Sequence, residues 1–144
     1  MTANVHALNL SALAFEAQAR MARHSGWDLI IERNKWFQQQ AVALLDRFCH
    51  RLKTEAVTLF VYSYAALSLL EFARVRGWRT VLGQIDPGLF EERIVARIYD
   101  ANPQQRGSWQ PAPSEYWNNW RQECALADRI LVNSTWSRDA LVEE

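Results

Sequence analysis

The sequence predicts an α/β fold, a Rossmann-like open parallel sheet with helices on both faces. Three observations support this. From residue 28 onward, short β-type runs alternate with longer segments of helical spacing, the pattern of a layered α/β structure. The short runs are nearly continuous in apolar residues rather than alternating, as in strands covered on both faces. At 144 residues the chain is the size of one ordinary domain and long enough to bury a core without disulfide or metal staples. Residues 1–144 are therefore read as one domain.

The elements follow in order. A helical pattern, Leu10 to Arg23, precedes any strand. Four strands are predicted: DLIIE (28–32), VTLFVY (57–62), TVLGQI (80–85) and RILVN (129–133). Between the first two, Phe37, Ala41, Leu44, Leu45, Phe48 and Leu52 recur at steps of three and four and make one apolar stripe. The next helix turns Ala66, Leu69, Leu70 and Ala73 inward and Ser68, Glu71 and Arg74 outward, with Gly77 where a left-handed cap belongs. A further helix starts after Asp86 with Phe90, Ile94 and Ile98 as its stripe. Another, Ser114 to Ala127, places Trp117, Trp120, Cys124 and Ala127 on one side. Residues 101–113, ANPQQRGSWQPAP, form a loop too long for a routine connection and read as a lid or binding loop, or as disorder. The chain stops within a helical pattern that lacks a C-cap residue. Glu143 and Glu144 place negative charge at the negative end of that helix's dipole, so a fragment of a longer protein is expected.

Composition excludes several functions. The 16 basic and 16 acidic side chains cancel, leaving no global field to draw the chain onto nucleic acid or an anionic membrane. Lysine occurs only at Lys35 and Lys53, which makes lysine-dependent phosphate sites scarce. Cys49 and Cys124 fall within helical patterns and not at ligand spacing, so they read as reduced core thiols. No apolar run approaches the roughly 18 residues of a membrane span, and the first residues lack the features of a signal peptide. A cytoplasmic location is the expectation. His24 and His50 have no partners at metal or triad spacing, so no metal site is assigned. Dinucleotide, P-loop and α/β-hydrolase motifs are absent from the sequence.

In an open parallel sheet, ligands bind beyond the carboxyl ends of the strands, where loops converge and helix N-termini point. That rule collects Glu32, Arg33 and Asn34 after the first strand, and Ser63 and Tyr64 after the second. It adds Gln84 to Gly88 after the third and Ser134 to Ser137 after the fourth. Such hydroxyl, amide and carboxylate groups suit a polyhydroxylated or phosphorylated ligand. Each also has a structural reading. Asp86 and Pro87 make a good N-cap and N1 pair. Glu91 and Glu92 complement a helix dipole, and Asn133 or Ser134 can cap the last helix. Trp109, Trp117 and Trp120 serve either packing or stacking on a sugar.

Two segments carry a resemblance to a known family. ECALADRILVNSTWSRDALVEE, Glu123 to Glu144, resembles the segment that closes the N-terminal domain of retaining glycosyltransferases of family 4, of GT-B fold. GQIDPGLFEERIV, Gly83 to Val95, is similar to a segment of one bacterial branch, where it follows a stretch like FVYSYAAL, Phe60 to Leu67. The likeness covers roughly residues 27–144 in the same order.

The resemblance implies half of a GT-B fold, the acceptor-side domain of an enzyme that moves a hexosyl group from a nucleotide-sugar to an acceptor hydroxyl of a carbohydrate or glycolipid. It implies that Gln84, Asp86 and Gly88 line the acceptor side of a cleft, with Glu91, Glu92 and Arg93 near its rim and Ser63 and Tyr64 beside them. Asn133, Ser134 and Ser137 would close the far end. It names no catalytic residue in this chain. The family's first strand with its glycine-rich loop has no counterpart in MTANVHALNL, and the donor-binding domain with its paired glutamates is absent. Little or no transferase activity is expected of the chain alone. The alternative is a non-catalytic α/β binding or signalling module, with Asp86 as a phosphoryl acceptor. That use needs an acidic pair at the first strand and a lysine at a later strand tip, and neither Lys35 nor Lys53 sits at one.

Overall fold

The computed structural model describes residues 5–49, 56–105 and 107–143. The chain is α/β: α1 (Asn9–Met21), α2 (Gly26–Cys49), β1 (Thr58–Tyr62), α3 (Leu67–Val75), β2 (Arg79–Gln84), α4 (Leu89–Ala101), a 3-10 turn at Pro103–Gln105, α5 (Ser114–Leu126), β3 (Arg129–Val132) and α6 (Thr135–Glu143). Of the sequence expectations, His50, Leu52, Lys53 and Glu144 lie outside the described residues.

Three of the four predicted strands form, and the first does not. DLIIE lies inside α2, where Ile31, Gln38, Ala41, Val42 and Leu45 recur at helical steps and turn inward. A run of three apolar residues between Asp28 and Glu32 fits either state by pattern. Extending an already nucleated helix adds a backbone hydrogen bond for each residue fixed, whereas a lone strand must find a partner. The buried stripe is rotated from the one expected, leaving Phe37 at the surface. α1 packs on α2 through Phe15 stacked on Trp36 and a two-bonded Glu16–Arg33 pair, with N···O distances of 2.7 and 3.0 Å.

The three strands are parallel in the order β1-β2-β3. The register is reinforced at the amino ends of β2 and β3. Asp128 Oδ2 accepts from Thr80 N–H at 2.8 Å and from its hydroxyl at 3.2 Å, while Asp128 N–H donates to Thr80 Oγ1 at 2.9 Å. Because the order never reverses, right-handed crossovers place both connections on the same side of the sheet. α3 accordingly packs against α5 and α2, and the core forms there from Val61, Leu69, Leu70 and Leu82. Helices on both faces were expected. On the other face Phe60, Tyr62 and Leu131 are 46, 63 and 59 % exposed.

α3 buries Ala66, Leu69, Leu70 and Ala73 as its spacing predicts. It ends in a Schellman motif: Gly77, at φ +67°, donates to Arg74 O at 3.1 Å and Trp78 N–H donates to Ala73 O at 3.0 Å. α5 presents Trp117 and Trp120 inward, as expected, and Cys124 touches the clusters on both sides of it. Burial pushes the Cys124 thiol up to about 11, so it is a packed, inert thiol. α4 commits less to the core than its spacing implies; Leu89 is buried, while Ile98 is exposed.

Candidate functional site

The site forms where β1 and β2 end. Beyond Tyr62 the chain passes through Ser63 to Tyr64, whose φ of +76° is rare for a non-glycine residue. Its surroundings hold that conformation at four points. Its N–H donates to Glu123 Oε2 at 2.7 Å, and its carbonyl accepts from Asn34 Nδ2 at 2.9 Å. Its ring stacks on Tyr116 at 5.2 Å, and its hydroxyl donates to Asp86 Oδ1. Burial, and then the Asp86 carboxylate, hold the Tyr64 phenol far above its ordinary value. Tyr64 is thus a neutral donor.

Gln84, the last residue of β2, is 2 % exposed and joins three elements. Its Nε2 donates to Tyr64 Oη at 2.9 Å, to Asp86 Oδ1 at 3.0 Å and to Asp86 O at 3.1 Å. Its Oε1 accepts from Trp120 Nε1 at 3.0 Å. A buried amide with donors and acceptor all engaged fixes its own orientation and those of its neighbours.

Asp86 is not the N-cap that its position before Pro87 suggests. α4 starts at Leu89 and its N-cap position is Gly88, which makes no side-chain cap bond. Asp86 Oδ1 instead accepts from Gly88 N–H at 2.7 Å, closing an Asx turn. The reason is Gly88 itself, at φ +65°, a conformation that delays the helix by two residues. Only glycine fits there, because an added Cβ would lie 2.5 Å from Trp120 Cζ2. Asp86 Oδ2 makes no hydrogen bond among the described residues.

These groups wall a cleft of about 250 Å³ lined by Trp27, Tyr64, Asp86, Gly88, Glu91, Glu92, Val95, Trp109, Tyr116 and Trp117. The long loop closes one side. Glu92 Oε2 accepts from Ala112 N–H at 2.6 Å and its Oε1 from Trp117 Nε1 at 2.9 Å, while Trp27 Nε1 donates to Gln110 O at 3.1 Å. Glu92 therefore clasps the loop to α4 as well as sitting at that helix's positive end. Burial raises the Tyr116 phenol above its ordinary value, with smaller contributions from Asp86, Glu123 and Glu92.

The remaining predicted residues fall elsewhere. Ser63 is buried and outside the cleft lining, and its hydroxyl has no hydrogen-bond partner among the described residues. Arg93 is exposed and outside the lining. Ser134 caps α6 by accepting Ser137 N–H at 3.0 Å, one of the two capping alternatives. Ser137 Oγ bonds Asn133 Oδ1 at 3.0 Å, and Asn133 Nδ2 donates to Ile85 O at 2.9 Å, tying the tips of β3 and β2. These polar groups are engaged with one another and do not line the cleft. Glu32 and Arg33, expected at a strand tip, are on α2 and pair with Lys35 and Glu16. Asn34 does reach the site, from a helix.

Glu123 was missed. It is 1 % exposed; besides Tyr64 N–H, its Oε1 accepts from Ala66 N–H at 2.8 Å and Leu67 N–H at 3.1 Å. It thus caps α3, whose own N-cap residue, Ala66, has no side-chain oxygen to offer. Burial pushes its carboxyl above the ordinary value, against the lowering effect of those three donors. Its spacing carried the signal, since it follows Trp120 by three residues on the inward side of α5.

Among the described residues no group of three or more His, Cys, Asp and Glu side chains could hold a metal ion, and no helix is long and apolar enough to cross a membrane. Comparison with protein-family models, with curated proteins and with solved structures found no match.

Proposed function

We propose that this chain is the acceptor-side domain of a retaining GT-B glycosyltransferase of family 4 type, acting in the cytoplasm. In the complete enzyme a hexosyl group passes from a nucleotide-sugar to a hydroxyl of a carbohydrate or glycolipid acceptor, with retention at the anomeric carbon. The donor-gripping domain is supplied from outside these residues. The likeness of Gly83–Val95 and Glu123–Glu144 to that family motivates the reading.

The observation that carries it is the cleft at the ends of β1 and β2, where aromatic rings stand beside Asp86, Glu91 and Glu92. Aromatic faces pack on the C–H faces of a sugar ring while carboxylates accept its hydroxyl hydrogens. Tyr64, Gln84 and Gly88 hold Asp86 Oδ1, leaving Oδ2 to meet an acceptor hydroxyl. Isothermal titration of the chain with methyl glucoside and with UDP-glucose tests the assignment. Saturable glycoside binding that Asp86→Asn weakens, with little heat from UDP-glucose, supports it. Tight UDP-glucose binding without glycoside binding contradicts it.

One observation favours a second reading, a non-catalytic binding module. The order β1-β2-β3 has no reversal, so the described sheet lacks the switch point where α/β enzymes of this layout hold nucleotides. A phosphoryl acceptor role for Asp86 fits less well. Its Oδ1 is occupied, and Lys35 is engaged with Glu115 and Glu32 instead.

A further inference from the structure

The cleft has a charge sense that the proposed function does not require. Among the described residues its lining includes three carboxylates, from Asp86, Glu91 and Glu92, and no lysine, arginine or histidine. Behind it the carboxyl of Glu123 on α5 accepts from Tyr64 N–H. Lys35 of α2 lines a separate pocket and is held by Glu115 at 3.1 Å and Glu32 at 3.4 Å. Arg93 on α4 is exposed and outside the lining.

The carboxylates are not equivalent. Both oxygens of Glu92 accept N–H bonds that hold the loop, so Glu92 contributes charge but little binding capacity. Asp86 Oδ2 and the exposed Glu91 carboxylate make no hydrogen bond among the described residues. The aromatic faces around them attract cations through the ring quadrupole. Carboxylates and aromatic rings thus favour the same sign of ligand charge. A volume of about 250 Å³ lies just below the usual range for drug-sized ligands, roughly 300–1,000 Å³, and fits a single ring.

We propose that the cleft selects a single-ring sugar bearing an ammonium group, and rejects rings bearing phosphate or carboxylate. This rests on the acceptor reading and narrows it. The ammonium sits at Asp86 Oδ2 within reach of Glu91, and the ring lies along the aromatic wall.

Ligand-observed saturation-transfer NMR on the full chain, at a pH where the amine is protonated, tests it with methyl glucosaminide, methyl glucoside, glucuronic acid and glucose 6-phosphate. The expected order is the amine at least tenfold tighter than the neutral glycoside, with no saturable binding of the two anions. Added salt narrows the gap. Asp86→Asn should abolish the preference. Glu91→Gln, which breaks no hydrogen bond seen in the fold, should reduce it severalfold and serves if the first variant fails to fold. Equal binding of the amine and the neutral glycoside overturns the charge selection and leaves the acceptor reading standing. Equal or tighter binding of either anion does the same. Failure of all four sugars to bind overturns both.

Discussion

Glu123 holds three backbone N–H groups of the β1–α3 turn from 56 to 59 residues away in sequence. Glu123→Ala strands those donors at a buried helix start, at roughly 1–3 kcal/mol for each that water cannot reach. A loss of at least about 2 kcal/mol is expected in urea titrations. The carboxyl also sets a pH dependence. Its folded value is raised above the ordinary 4.5, so its contribution is full below that pH and is lost as pH rises through the raised value. Urea midpoints measured upward from pH 4.5 should fall more steeply for the wild type than for Glu123→Gln, which has nothing to titrate there; parallel profiles would contradict the assignment. Tyr64→Phe removes a donor to Asp86 and an acceptor for Gln84. It should cost about 1–3 kcal/mol, the usual range for a buried partner left unsatisfied.

The helices and strands were legible in the sequence where spacing had only one solution. Ala66, Leu69, Leu70 and Ala73 fit a helix and nothing else, and Gly77 ended it. DLIIE was ambiguous because three apolar residues satisfy both periods, and only the helix that follows decides between them. That decision is measurable. Ile30 lies on the outer side of α2 at 36 % exposure, so Ile30→Ala should cost under about 1 kcal/mol. In a buried strand the same change would cost roughly 2–5 kcal/mol. The cleft was legible in part, because Tyr64, Asp86 and Gly88 follow from the strand-end rule. Glu123 reaches the site from a helix, by tertiary contacts that strand ends do not reveal; Asn34, collected at the end of a strand that does not form, reaches it from α2; and Ser134 caps α6 while Asn133 and Ser137 bond each other. Asp86 looked like a cap because Asp-Pro begins many helices, but the positive φ of Gly88 displaces the start. Gly88→Ala would force both that backbone strain, about 1–3 kcal/mol, and a clash with the Trp120 ring. Thermal unfolding of the variant should show a loss beyond the strain alone.

At the scale of the molecule, a sheet that grows in one direction puts its crossover helices on one side and leaves Phe60, Tyr62 and Leu131 open on the other. Substituting Leu131→Lys there should change stability by no more than about 0.5 kcal/mol, as for other surface positions. The cleft lies instead at the strand ends, roofed by the loop that Glu92 and Trp27 hold down. Its walls contain three of the chain's seven tryptophans, Trp27, Trp109 and Trp117. Trp120 is bonded to Gln84 behind the cleft, and the remaining three serve as internal references, with Trp36 between α1 and α2, Trp78 at the amino ends of the strands and Trp136 on α6. The most direct measurement of the central claim is an ¹⁵N–¹H spectrum of the indole N–H groups during titration with methyl glucoside. Binding of a sugar acceptor at this cleft should move the Trp27, Trp109 and Trp117 signals together and saturably while Trp36, Trp78 and Trp136 stay fixed; shifts confined to those reference tryptophans, or no shift in any, would contradict it.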